Sequence, residues 1–255
     1  MKRFTILWSH QRWQMFIAPS TYIAAFMFLT FMAVMYLFSL VDISMSASDV
    51  SPLGKFLSVF WVPVLFMVPL LTMRSIAEER RMGTLATLMT TPVTAGQIVL
   101  AKFLACYFFY ILLWIMTLFF PLITELYIPN SIRAAGLMPM SQLLTGYGFI
   151  FISGAMYIAI GIFASSLTRT TLVAGMLSFG MLFFAIVGAG LVSKFALPDS
   201  GFMAWLSQPV DYLQTFRHLE DFSNSLLDTR PFFLYISTAC MLLAVTSLIT
   251  EAKNA

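Results

Sequence analysis

Six long apolar stretches, separated by short polar segments, dominate the pattern of this chain. A bilayer core needs about 20 apolar residues per helix, and backbone polar groups in lipid must be hydrogen-bonded within their own segment. Alternating segments of about 10 residues, which mark transmembrane strands, do not occur in the sequence. The pattern predicts an all-α polytopic membrane protein, a single domain over 1–255, with transmembrane helices at 18–41, 56–73, 98–120, 143–167, 171–192 and 232–249.

Residues 1–17, before the first stretch, have a mixed character. Ile6, Trp13, Phe16 and Ile17 share one helical face, whereas other positions are polar: Lys2, Arg3, Gln11, Arg12 and Gln14. We predict a helix lying in the membrane interface, where tryptophan is enriched. A disordered tail is the alternative. The apolar run that follows exceeds the roughly 7–15 residues of a cleavable signal peptide, so we expect no cleavage.

Composition supports a membrane protein. The chain is 60% hydrophobic and 10% charged, whereas soluble domains have about 25% charged residues. If both termini are cytoplasmic, nine of the 14 Lys and Arg residues lie inside and five outside. The positive-inside rule therefore predicts a topology with the N- and C-termini in the cytoplasm.

The connection between the second and third spans is unusually polar. Residues 74–81 are predicted to extend the second helix beyond the bilayer, with Glu78 and Glu79 flanked by Arg74, Arg80 and Arg81. So many charges on a short connection indicate a surface that touches a partner at the membrane face.

A short amphipathic helix is predicted next. Gly83 breaks the preceding helix and Thr84 caps the new one. Leu85, Leu88 and Met89 follow at helical spacing and form one apolar face, and residues 90–92 end the helix at Pro92. This helix fits a groove in a partner and would carry force as a rigid lever. A surface helix anchored on lipid by the same side chains explains the pattern equally well.

Two other regions carry organisational signals. Spans four and five are joined by a tight turn at 165–170 and are rich in glycine, which favours a close-packed helical hairpin.

Residues 194–230 form the longest polar connection, on the outer side. Aromatic and leucine residues recur there at helical spacing, so we predict two short amphipathic helices. A loop collapsed on the outer leaflet is the alternative.

No motif of catalysis or nucleotide binding occurs in this sequence. GxxxxGK[ST], HExxH, GxSxG and CxxC are all absent, and the two histidines are His10 and His218. No series of carboxylates within the spans marks a proton relay. We therefore expect no catalytic residue, no metal site and no cofactor in this chain, and an energy source in another subunit.

The segment MRSIAEERRMGTLATLMTTPVTAGQIVLAKFLA, which begins at Met73, resembles the signature between helices two and three of type-2 ABC transporter permeases. That family shows acidic and basic residues, then Gly-Thr, a Leu-rich helix, a proline and a lysine in the next span. The matching positions include Lys102. The residues that the resemblance assigns to ATPase coupling are Glu78, Glu79, Arg80, Arg81, Gly83, Thr84, Leu85, Leu88 and Pro92. The family often has Glu where this chain has Ala86, so Thr87 would have to replace that polar contact.

A second similarity lies near the end of the chain. Residues 218–222 (HLEDF) and 227–230 (LDTR), which lead into the sixth span, are similar to permeases associated with bacterial gliding motility. The permeases of nitrous-oxide-reductase maturation are close relatives. Together the two similarities cover nearly the whole chain.

The resemblance implies a permease subunit of an exporter in the bacterial inner membrane. A second permease subunit, identical or different, and two ATPase subunits that bind ATP and Mg²⁺ would complete the transporter. The resemblance is also compatible with membrane lipid and a periplasmic accessory subunit as partners. It gives no reason to expect nucleic acid as a partner. A membrane scaffold that anchors a machine without transport is the alternative. An intramembrane enzyme has no catalytic constellation to support it.

Overall fold

The computed structural model describes residues 2–45, 52–84, 88, 93–127, 140–188 and 230–252. This part of the chain is helical and contains no strand, as the sequence predicts. The helices are α1 Lys2–Ile17, α2 Pro19–Met45, α3 Pro52–Ser58, α4 Trp61–Thr72, α5 Ala77–Met82, α6 Ala95–Thr117, α7 Phe119–Tyr127, α8 Met140–Leu167, α9 Thr171–Phe183 and α10 Arg230–Ala252, with a π-helical turn at Phe184–Gly188 after α9.

Six segments of the described chain are long and apolar enough to cross a membrane. They are Pro19–Val41, Trp61–Met82, Ala95–Thr124, Met140–Leu167, Thr171–Gly188 and Arg230–Ala252. The predicted number and order of spans are confirmed. The protein is therefore a multi-pass membrane protein, and its exposed large apolar side chains, such as Phe26, Leu172 and Phe233, suit contact with lipid or another membrane helix.

The connection between the first and second spans differs from the predicted bounds of those spans. Residues 41–55 were expected to be loop, but α2 continues to Met45 and α3 begins at Pro52. The second span starts at Trp61 rather than at residue 56, because the helix is interrupted at Val59 and Phe60. Pro63 has no amide hydrogen to donate to the Val59 carbonyl, so the regular i to i−4 bond is lost at this point.

Proline also shapes the third span. α6 ends at Thr117 and α7 starts at Phe119, with Pro121 in its first turn. Pro121 cannot donate to the carbonyl of Thr117, and the chain turns at Leu118 instead. At the other end of the molecule, Pro19 occupies the first position of α2, which suits its fixed backbone angle and separates α2 from α1.

The fourth span, α8, is the centre of the bundle. In its most apolar window 72% of the residues are buried, against 17% in the sixth span. α8 packs against α4, α6, α9 and α10. Gly154 faces the ring of Tyr110 on α6, and Gly161 faces Thr72 on α4, so both neighbours lie where a Cβ atom would stand. The predicted hairpin of spans four and five is confirmed, with its turn at 168–170.

α1 packs on the third span. Phe16 and Phe109 meet edge to face with ring centroids 5.7 Å apart, and the Arg12 guanidinium lies 3.9 Å from the centre of the Trp8 ring. Of the predicted apolar face, Phe16 packs against the core, whereas Ile6, Trp13 and Ile17 are exposed. Gln11, expected on the polar side, is buried. Location in the membrane interface stays a prediction.

Several predicted features lie outside the described residues. They include most of the amphipathic helix at 84–92 and the two outer helices in 194–230. The similarity at residues 218–222 falls in the same region, and so do residues 189–192 of the predicted fifth span.

Candidate functional site

The second span does not continue as one straight helix into the charged connection. α4 ends at Thr72, residues 73–76 form a turn, and α5 covers Ala77–Met82. The predicted extension of the second helix over residues 74–81 is confirmed from Ala77 onward, whereas residues 74–76 lie in the turn. We call residues 73–83 the elbow, because a turn at residues 73–76 separates α4 from the short helix α5 there.

Ser165 of α8 stabilises the turn that separates α4 from α5. Its Oγ accepts hydrogen bonds from the amides of Ile76, at 3.2 Å, and Ala77, at 3.0 Å, and donates to the carbonyl of Met73 at 3.2 Å. These backbone groups would otherwise pair within a continuous helix. Ser165 is fully buried. The elbow thus exists because a side chain from the fourth span satisfies the backbone groups that the break leaves unpaired.

Lys102 joins the elbow to the third span. Its Nζ lies 2.5 Å from Glu79 Oε1 and donates to the Ser75 carbonyl at 2.6 Å. Only 2% of the Lys102 side chain and 17% of the Glu79 side chain are exposed. A buried ammonium is tolerated only when it is paired and hydrogen-bonded, so this contact holds α6 and the elbow in one arrangement.

Arg74 joins the elbow to the first span. Its Nε and Nη2 atoms donate to the two carboxylate oxygens of Glu78, at 2.6 and 2.7 Å, in a bidentate pair. The remaining nitrogen, Nη1, donates to Ser20 Oγ of α2 at 3.2 Å. This pair is more exposed than the one at Lys102, and it contributes orientation more than stability.

Arg80 joins the elbow to the hairpin of spans four and five. Its Nη1 donates to the carbonyl of Ser166 at 2.5 Å. The Nε and Nη2 atoms of Arg80 are buried and have no hydrogen-bond partner among the described residues. α5 packs against both α8 and α9 beside this contact.

The elbow ends at Gly83, as predicted. Gly83 has a φ of +74°, the left-handed conformation that glycine adopts without steric cost, and its amide donates to the Arg80 carbonyl at 3.3 Å. Arg81 and Thr84 beyond it are exposed, and Leu88 is half-buried. Leu85 and Pro92 lie outside the described residues, so the cap at Thr84 and the apolar face that follows stay predictions.

The third span begins with a capping box after this connection. Thr94 Oγ1 accepts from the amide of Gln97, and the Gln97 side chain accepts from the amide of Thr94. The box fixes the start of α6 next to the connection.

The elbow brings together part of the predicted site and adds residues that the sequence did not indicate. Glu78, Glu79 and Arg80 were predicted as the polar rim of a partner contact, and each makes its observed contact within the chain. Arg81 is the exposed charge of the four. The missed residues are Ser20, Ser75, Ser165 and Ser166. The sequence showed the last two only as a tight turn, because a serine carries no signal of what it will bind.

The contacts of the elbow reach three other spans. Four charged side chains and one buried serine connect a single short segment to the first, third and fourth spans. Side-chain contacts therefore tie the elbow to several spans at once.

Six apolar helices, with a charged elbow after the second span, define a polytopic membrane protein. The family model described as ABC-2 family transporter protein matches residues 13–251. The match covers nearly the whole chain, so the chain belongs to this family and is a membrane permease component of an ABC transporter. Permeases of this family normally work with an ABC ATPase subunit. No curated protein matches the sequence.

Proposed function

We propose that this chain is the permease of an ABC exporter and that a separate ATPase drives it through residues 84–92 and the elbow. The observation that carries the proposal is the connection of one short charged segment to three other spans by polar contacts. A permease without a nucleotide site of its own needs such a connection to receive work from a partner.

The proposed path starts at the amphipathic segment. ATP-driven closure of the ATPase displaces residues 84–92, with Leu85 and Leu88 at the apolar centre of the contact and Arg81 on its polar rim. The displacement reaches the elbow through Gly83. From there the pair of Glu79 with Lys102 pulls on the third span, and Arg80 pulls on the hairpin of spans four and five. The bundle then tilts and opens a path outward.

The proposed assembly has two permease subunits and two ATPase subunits. ATP and Mg²⁺ are bound by the ATPases, and this chain supplies no catalytic residue. Exposed apolar side chains on spans one and five, such as Phe26 and Leu172, offer a surface for the second permease. We place both termini in the cytoplasm of a bacterium, by the distribution of Lys and Arg.

The cargo class and subfamily follow only from resemblance. Similarity at residues 218–222 and 227–230 favours the permeases of gliding motility and nitrous-oxide-reductase maturation. Aromatic-rich spans suit a hydrophobic or amphipathic cargo, and they suit plain lipid contact equally well.

The test is a paired substitution in the amphipathic segment. The tagged chain is purified from its own organism in mild detergent, with its bound proteins identified by mass spectrometry and ATP hydrolysis measured with and without vanadate. We expect a stoichiometric P-loop ATPase with the native chain, and its loss from the Leu85→Asp, Leu88→Asp double variant. Leu126→Asp is the matched control, since Leu126 is 77% exposed at the far end of the third span.

Two results would contradict the proposal. ATPase binding and ATP-coupled activity that survive the double variant would put the coupling contact elsewhere. Reproducible absence of any ATPase from the intact, folded chain would remove the energy source and favour a membrane scaffold.

A further inference from the structure

One edge of the Arg80 guanidinium has no hydrogen-bond partner. Its Nη1 atom donates to the Ser166 carbonyl of α8, whereas Nε and Nη2, which form the other edge, are buried and unpaired within the part of the chain that the structure describes. A buried donor without an acceptor costs free energy, and the cost is larger when the donor is charged. The unpaired edge therefore indicates an acceptor from outside the described residues.

Arg74, in the same elbow, shows what this edge of an arginine binds. The same two atoms of Arg74, Nε and Nη2, donate to the two carboxylate oxygens of Glu78 at 2.6 and 2.7 Å. Two parallel N–H groups match the spacing of two oxygens in a carboxylate or a phosphate. The unpaired edge of Arg80 therefore fits an oxyanion.

The carboxylates of the elbow are engaged by other cations. Glu78 pairs with Arg74, and Glu79 pairs with Lys102. Neither carboxylate forms an ion pair with Arg80. The oxyanion that suits Arg80 is thus not supplied by the elbow itself.

A second arginine without an ion pair in the described ranges lies beside Arg80. Ser166, whose carbonyl binds Arg80, is three residues before Arg169 in the turn that joins α8 to α9. Arg169 is exposed, and its charge acts unfavourably on that of Arg80. An anion that contacts both guanidinium groups would turn this repulsion into attraction.

The position of the two arginines favours a lipid as the source of the anion. Arg80 lies near the end of the second span, and Arg169 lies between the fourth and fifth spans. In the first two turns of α9, the large apolar side chains of Leu172, Val173 and Met176 are exposed. Basic side chains between transmembrane helices, at the level where the spans end, are typical of sites for anionic lipid headgroups.

We propose that Arg80 and Arg169 bind the phosphate of an anionic phospholipid in the leaflet on the elbow's side. Arg80 donates to two phosphate oxygens through Nε and Nη2, and Arg169, on the exposed side, supplies the second cation. The acyl chains lie along the apolar side chains of α9. A zwitterionic headgroup would bring a cation of its own beside two arginines. The lipid links the elbow to the hairpin turn, whether or not this chain exports anything.

The test uses the full chain, purified in detergent and stripped of lipid. The protein is incubated with an equimolar mixture of palmitoyl-oleoyl phosphatidylglycerol and palmitoyl-oleoyl phosphatidylcholine, and bound lipid is counted by native mass spectrometry. The two lipids share their acyl chains and a phosphodiester and differ in net charge. We expect phosphatidylglycerol to be retained above phosphatidylcholine. Arg169→Gln should lower that retention about tenfold, the loss expected for one charged hydrogen bond.

Two further variants separate the shape of the Arg80 edge from its charge. Arg80→Lys keeps the charge and loses the two parallel N–H groups, so it should also lower retention of phosphatidylglycerol severalfold. Arg81→Gln is the matched control, because it removes an exposed charge from the next position and should leave retention unchanged. If Arg80→Lys does not fold, Arg169→Gln still tests the site, since Arg169 is exposed in a turn.

Four outcomes would overturn the proposal. Equal retention of the two lipids would remove the preference for an anion. Equal effects of Arg169→Gln and Arg81→Gln would show attraction by net charge alone. Inorganic phosphate that displaces phosphatidylglycerol at equal concentration would show a site for the free ion. Unchanged lipid retention, with loss of a co-purified protein from Arg169→Gln, would assign the two arginines to a protein carboxylate.

Discussion

At the scale of single residues, Lys102 carries a charge into a position where almost no water reaches it. Its stability there depends on Glu79 Oε1, 2.5 Å away, and on the Ser75 carbonyl. Breaking a buried pair by removing one partner leaves an uncompensated charge, which costs far more than the pair itself contributes.

The first prediction follows from this asymmetry. Glu79→Gln should lower the stability of the folded chain by about 3 kcal/mol or more, since Lys102 loses its counter-charge. The double variant Glu79→Gln, Lys102→Met should recover part of that loss. Thermal unfolding in detergent, followed by size-exclusion chromatography, measures both. Arg81→Gln, at an exposed charge in the same helix, is the control and should be neutral. A double variant less stable than either single one would contradict the pairing.

Ser165 is the second such position, because its single hydroxyl oxygen supports the turn at residues 73–76. Ser165→Ala removes one acceptor and one donor, so two buried amides and the Met73 carbonyl lose their partner. We expect a loss of at least about 2 kcal/mol and weaker coupling of ATP hydrolysis to the permease. Ser237→Ala is the control, because the Ser237 hydroxyl is exposed and bonds only within its own helix. An equally small effect of both substitutions would remove Ser165 from the elbow's support.

At the scale of helices, the close approach of α8 to α4 and α6 depends on two glycines. A Cβ atom at position 154 would stand 2.6 Å from Cζ of Tyr110, and one at position 161 would stand 2.9 Å from Cβ of Thr72. Thr72 Cβ cannot move without shifting α4, and the Tyr110 ring is fully buried, so it has little room to rotate away.

Alanine at either position should therefore destabilise the bundle by about 1–3 kcal/mol, the usual cost of overpacking. Gly148→Ala on the same helix is the matched control, because a Cβ atom there meets nothing within 4 Å. The control should be neutral or slightly stabilising, since alanine favours helix over glycine. Melting temperatures in detergent compare the three variants, and equal values would show that α8 does not need the two glycines.

At the scale of the whole molecule, the orientation in the membrane remains a prediction from the distribution of Lys and Arg. Fusion of a reporter active only in the cytoplasm to the C-terminus should give full activity, and fusion within residues 128–139 should give none. The opposite pattern would invert the topology and place the elbow outside, where no ATPase could reach it.

Part of the site was predictable because its signals are local. Glycine is the residue that most readily takes the left-handed conformation at the end of a helix, so Gly83 predicts a helix end. The charge-rich segment 74–81 stands out between two apolar stretches. The contacts made by those charges were not predictable. Glu79 and Arg80 were expected to face a partner, which stays a prediction, and within the chain they bind Lys102 and the Ser166 carbonyl.

The sequence by itself determined the six spans, the all-α class and the family, because the length of an apolar run and the order of a short motif are properties of neighbouring residues. Tertiary structure alone decided the elbow. Ser165 meets Ile76 across a separation of 89 positions, and this depends on how the fourth span packs beside the second. The break in the second span and the burial of Gln11 likewise depend on how distant helices pack. No local sequence pattern specifies which distant side chain will hydrogen-bond to a given unpaired backbone group.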